Sequence, residues 1–160
     1  MKRLIAAALL MVFVSPVATP AWADQQIGSV STNFRLVGPN DKVVVQRLED
    51  PKIPNVECYA SFAQTGGLAG GIGVATDPSQ FALSCIAAGP VILPANLPQK
   101  EEVAAISASF LFKHFILTRM VDPDKHALVY LLISTKILHG SPANAVSAVP
   151  VSGAGNSDKP

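Results

Sequence analysis

The chain has 160 residues, 49% of them apolar and 14% charged, with 12 basic against 11 acidic side chains. That near balance argues against nucleic acid as a partner, and the length suits one domain with a real core. The mean hydropathy of +0.38 averages two unlike pieces: residues 1–23 hold 17 apolar residues, whereas residues 24–160 hold 62 in 137, an ordinary globular fraction.

The first piece reads as a cleavable export signal. Met1-Lys2-Arg3 is a basic start, Leu4 to Val14 is an uncharged apolar run, and Ala21-Trp22-Ala23 offers the small residues of a cleavage site. A bilayer needs roughly 20 apolar residues, so an 11-residue run is too short to span one. Cleavage between Ala23 and Asp24 is expected, with no stable membrane anchor afterwards and a periplasmic location. Loss of Lys2 and Arg3 turns the net charge from +1 to −1.

Export gives the cysteines a meaning. Cys58 and Cys85 are the only two, and in an oxidising compartment they are expected to form a structural disulfide. A redox pair would want the short Cys-x-x-Cys spacing. A metal site would want histidines at ligand spacing, and none is there.

In chain order, residues 28–37 alternate Val30, Thr32, Phe34 and Leu36 against Ser29, Ser31, Asn33 and Arg35, the pattern of a half-buried strand. Gly38-Pro39-Asn40-Asp41 has turn chemistry, and residues 43–48 complete a hairpin. Pro51 and Pro54 break the chain, and a strand resumes at 56–63 with Cys58. A glycine-rich segment occupies 65–73. Asp77-Pro78-Ser79 then carries a helix-start signal, an N-cap followed by proline, which predicts a short helix over 78–83. Residues 85–93 are apolar around Gly89-Pro90, and Pro94 and Pro98 mark a loop.

The run 103–121 is read as strand; a helix over 103–117 is the alternative because of Ala104, Ala105 and Ala108. Asp122-Pro123-Asp124-Lys125 is a turn. Residues 127–133 are apolar on both alternating faces, as in a central strand covered on both sides. From His139 a turn leads into a short extended or helical piece, and residues 152–160 are expected to be a disordered tail. The expected fold is mainly β (β-rich α+β): one compact domain over 24–151, of antiparallel strands with one or two short helices.

The glycine segment lacks the Lys of a P-loop, and Thr76 stands where a dinucleotide fingerprint needs its third glycine. Close backbone approach is the simpler use for such glycines. His114, His126 and His139 are too far apart in sequence for a pair on one helix face, and no Gly-x-Ser-x-Gly elbow exists. The carboxylate pairs Glu101-Glu102 and Asp122/Asp124 sit beside turns and read as solvated. No catalytic constellation, metal site or cofactor follows from these residues. The candidate binding positions lie in two loops: Gly66, Gly67, Gly70, Gly71 and Asp77 in one, His139, Ser141 and Asn144 in the other. They suit an unknown protein or small-molecule ligand. The competing reading is a periplasmic hydrolase with its site near 139–147, using His139, Ser141, Asn144 and Asp77.

Several spaced motifs together resemble one family. They are Ile27-Gly28-Ser29-Val30, Gly38-Pro39, Thr65-Gly66-Gly67 with Gly70-Gly71, Cys58, Ser84-Cys85 and Gly89-Pro90. The series ends with Gly140-Ser141-Pro142, Asn144-Ala145 and Ser147-Ala148-Val149-Pro150-Val151. Their order and spacing over 27–151 resemble the bacterial CreA family. The resemblance implies a small exported protein, named for a catabolite-regulation locus, with no established biochemical activity. The stretch 99–113 is richer in alanine and apolar residues than the more basic stretch expected for the family, so a role that relied on that basic stretch to meet an anionic partner does not carry over.

Overall fold

The computed structural model describes residues 25–67, 76–109, 112–135, 140 and 142–152, and for 76–80, 107–109 and 112–114 the backbone alone. The export signal, the Ala23–Asp24 junction, Gly70, Gly71, His139, Ser141 and the expected tail from 153 onward lie outside the described residues. Eight strands follow one another: β1 (Gln25–Asn33), β2 (Asp41–Glu49), β3 (Val56–Gln64), β4 (Thr76–Ala87), β5 (Lys100–Ser109), β6 (Phe112–Asp122), β7 (Ala127–Ser134) and β8 (Asn144–Pro150). They form two antiparallel four-stranded sheets in sequential order, β1-β2-β3-β4 and β5-β6-β7-β8. The expected β-rich class and antiparallel strands are what the chain adopts.

The sheets face each other across one apolar core. β3 contributes Val56, Cys58, Ala60 and Phe62, every second residue, and β7 contributes Leu128, Tyr130 and Leu132 by the same alternation. Phe115 from β6 fills the space between Phe62 and Phe81, with ring centroids 4.6 and 4.9 Å away. β4 lies against β8, and β2 approaches β5. Strands β2 to β4 thus span the second sheet from β5 to β8, and β1 lies past the β5 edge, exposed on both faces among the described residues.

Three expectations need correction. Residues 78–83 are not a helix; they belong to β4, which pairs with β3 through Phe62–Phe81, Ala60–Leu83 and Cys58–Cys85. The local cap signal is outweighed by those cross-strand contacts, and Pro78 is accommodated in the register irregularity between Gln64–Thr76 and Phe62–Phe81. β1 is not half-buried, because as an overhanging edge strand it is wet on both faces, and Phe34 and Leu36 lie beyond its end. The run 103–121 is strand, but two strands, β5 and β6, joined as a hairpin. β7 does occupy a central position, with its outer face half-buried.

The disulfide forms between Cys58 and Cys85, directly opposite each other on β3 and β4 and separated by 27 residues. Closing a loop of that length restricts the unfolded chain, worth about 3.5 kcal/mol by loop entropy. Replacing both residues with alanine is expected to lower the unfolding free energy in urea by about that amount with native strand content retained. An unchanged urea midpoint would show that strand pairing alone stabilises this edge.

Candidate functional site

Two polar constructions mark opposite ends of the sandwich. The first begins with Asp50, the residue after β2, at the foot of sheet one. It faces Arg119 of β6 and Tyr130 of β7, both fully buried in sheet two. Arg119 Nη1 donates to both Asp50 oxygens at 2.8 and 2.7 Å, the Tyr130 hydroxyl donates at 2.9 Å, and the Lys52 backbone N–H donates at 2.9 Å. Arg119 Nη2 donates to Glu101 of β5 at 2.5 Å, and Lys52 Nζ reaches the other Glu101 oxygen at 2.5 Å. Two cations thus balance two anions.

This cluster closes the core instead of opening a site. Its donors and acceptors are consumed by one another, and only Arg119 Nε lacks a partner among the described residues. Burial, then the Asp50 charge and its hydrogen bond, push the Tyr130 phenol well above its ordinary range. Lys52, followed by Arg119, holds the Glu101 carboxyl below its ordinary value against partial desolvation. The reading of Glu101 as a solvated member of a carboxylate pair is corrected accordingly. Arg119 and Asp50 were absent from the sequence candidates. One signal existed: Arg119 shares the alternating row of Phe115 and Leu117, so period two alone points it inward.

The second construction sits at the hairpin end. Asp41 opens β2 and accepts from Arg35 Nε at 3.0 Å and Nη2 at 2.9 Å, from Asn33 Nδ2 at 3.2 Å, and from the Gly66 backbone N–H at 2.7 Å. The Arg35 guanidinium first, then the Gly66 N–H, draw the Asp41 carboxyl down from 3.8 to about 2. The 38–41 turn presses onto the glycine segment: Gly67 N–H donates to Pro39 O at 2.7 Å, and a Cβ on Gly66 would fall 1.9 Å from that same oxygen. Gly38, at φ +83°, likewise leaves no room for a side chain against Gly67. For Gly66 and Gly67, close backbone approach is the use the fold makes of glycine.

This knot holds residues 34–37 out from the body. Phe34, Leu36 and Val37 are 80, 92 and 64% exposed, and Ile27 and Val30 on the adjoining β1 are 54 and 69% exposed. Five large apolar side chains within eleven residues form a wet apolar surface, the kind that marks a contact for another molecule. None of them was among the sequence candidates, because alternation in 28–37 was read as burial of one face.

The remaining candidates are placed only in part. The ends of β3 and β4 (Gln64, Thr76) and of β7 and β8 (Ser134, Asn144) lie at the same hairpin end, beside the Phe62–Phe81–Phe115 cluster. Asn144 is exposed and donates from Nδ2 to Pro142 O at 3.2 Å. Asp77 is described in its backbone only, within β4, and the other members of the proposed His139–Ser141 group lie outside the described residues. Among the described residues, no three His, Cys, Asp or Glu gather to hold a metal ion.

A family model described as CreA protein matches residues 27–154. The chain is 44% identical over 131 residues to Protein CreA of Escherichia coli strain K12, covering 79% of this chain and 83% of that protein. Protein CreA of Escherichia coli O157:H7 matches to the same extent. No solved structure matches the chain.

Two outcomes test the constructions. Arg119→Met leaves Asp50 buried without its cation and is expected to cost about 3–5 kcal/mol in urea unfolding; a loss under about 1 kcal/mol would show the cluster is not holding the sheets. Tyr130 is stabilising as the neutral phenol, so its contribution is complete below about pH 10 and is lost as pH rises further. Tyr59 and Tyr130 are the only tyrosines, and half of the phenolate absorbance is expected to appear only with unfolding. Free titration of both in the folded state would contradict the burial.

Proposed function

The chain belongs to the CreA family, and from that premise we propose that it is an exported periplasmic protein that acts by binding a partner and not by catalysis. The leader-like residues 1–23 support export. The disulfide joining Cys58 and Cys85 is compatible with it, since such bonds persist in oxidising compartments. The observation that carries the binding role is the exposed apolar surface of Ile27, Val30, Phe34, Leu36 and Val37. Water contact with that much apolar surface is unfavourable by about 25 cal/mol per Å², and covering it supplies affinity. The two knots at its base, Asp41–Arg35 and Asp41–Gly66, keep the surface presented in one shape, which lowers the ordering cost of contact.

The export step has a direct optical readout. Trp22 is the only tryptophan, so protein recovered from the periplasm is expected to begin at Asp24 and to lack indole emission; emission near 340 nm would contradict cleavage after Ala23. For the binding role, a photo-crosslinking residue at Leu36 is expected to give adducts in the periplasm of living cells, and one at exposed Ser84 to give none. Equal yields from both positions would remove the surface from the account.

A further inference from the structure

The two most exposed large apolar side chains among the described residues, Leu36 and Phe34 at 92 and 80%, both stand in the connection between β1 and β2, with Val37 at 64% beside them. The polar groups of this loop, residues 34–40, are turned on one another. Arg35, its only charged residue, places Nε and Nη2 on the two oxygens of Asp41 at 3.0 and 2.9 Å. The Arg35 backbone N–H donates to Asn40 Oδ1 at 2.9 Å, and Pro39 O accepts from the Gly67 N–H. The loop therefore offers apolar side chains outward and keeps its cation neutralised at its own base.

Charge is divided between the two ends of the sandwich. Among the described residues the carboxylates gather away from this loop: at the end of β2, the start of β3, the start of β5 and the β6–β7 turn. At the loop's end only Asp41, already paired, and Asp77 are acidic, while Lys42 and Lys113 stand second in β2 and β6. An anionic surface is met by this end and repelled by the other. Resting on the binding role proposed above, we infer that the partner is an anionic phospholipid bilayer. Phe34, Leu36 and Val37 dip into its headgroup region, and the strand ends carrying Lys42 and Lys113 turn toward its phosphates.

A bilayer asks for what this loop has. Side chains that reach the acyl boundary must be apolar, and the polar groups that follow them into a medium poor in water must bring their own partners. A protein partner is met through a polar rim as well as an apolar centre, and the loop's guanidinium is already engaged. Asp41 and the Gly66 N–H hold the loop in shape, so contact need not order it. Three side chains make a shallow anchor, and the contact is peripheral and reversible. No helix among the described residues is long and apolar enough to cross a membrane.

Flotation of the exported chain with vesicles of phosphatidylglycerol and phosphatidylcholine in equal parts tests this. Binding is expected that weakens as salt is raised and is much weaker on phosphatidylcholine alone. Leu36→Ser is expected to lower vesicle affinity about tenfold or more, with melting temperature unchanged because the side chain lies in water. Ile92→Ser, at an exposed apolar position of the opposite end, is expected to change nothing. Phe34→Trp gives the exported chain one indole, whose emission is expected to move to the blue on adding the anionic vesicles. The adducts of the Leu36 crosslinker are then phospholipid. No binding to the anionic vesicles, equal binding to neutral ones, or indifference to Leu36→Ser overturns the lipid assignment. If it falls while the Leu36 crosslinker captures a protein in cells, the binding role stands; absence of any adduct removes the binding role as well.

Discussion

The buried contact between Arg119 and Asp50 sets the alignment of the whole molecule. A guanidinium with no water around it is tolerable only where carboxylates meet it, since desolvating an ion costs several kcal/mol. Asp50 is the residue immediately after β2, and Arg119 and Tyr130 stand on the two central strands of the second sheet. Their meeting fixes which strand of one sheet lies over which strand of the other. The apolar side chains around them, Leu48, Val56, Leu117 and Leu128, are non-directional and would accept several offsets. The ions would not.

From that alignment the surface follows. With β2 near β5 and β4 against β8, β1 lies past the edge of the second sheet and is exposed on both faces among the described residues. The overhang is then stiffened by local means: Asp41 ties Arg35, Asn33 and Gly66 together, and the glycines let the 38–41 turn sit on the backbone of the next loop. A neutral strand edge flanked by exposed apolar side chains is thus presented by a rigid base. The disulfide strengthens the other side of the same sheet, pinning β4 to β3 where Phe81 and Leu83 join the core.

Much of this is legible in the sequence, for identifiable reasons. The β2 and β3 strands, the reversal at Gly38-Pro39-Asn40 and the central β7 were readable because period-two alternation and Gly-Pro-Asn chemistry are local, although the connection begins at Phe34 and Asp41 already opens β2. The Cys58–Cys85 pairing needed only a count of two and a compartment. The errors have physical causes. Asp77-Pro78-Ser79 is a sound local cap, and it lost to cross-strand pairing and aromatic packing at Phe81. Alternation in 28–37 showed two unlike faces but could not show that no second layer lies opposite. Arg119 interrupts an apolar run in the sequence, yet it stands on the inward row of β6 with Phe115 and Leu117. Gly66 and Gly67 serve close backbone approach, the simpler use their sequence offers, while Val30, Phe34 and Leu36, which alternate like a buried face, are exposed.

What unites these observations is the claim that β1 is an interaction edge and not merely the last strand of a sheet. Amide hydrogen exchange of the exported chain tests it most directly. The account predicts slow exchange in β2, β3, β6 and β7 and fast exchange at the outward-facing amides of Gln25–Asn33, an edge that no strand among the described residues covers. Outward amides of β1 as well protected as those of β3 would contradict it.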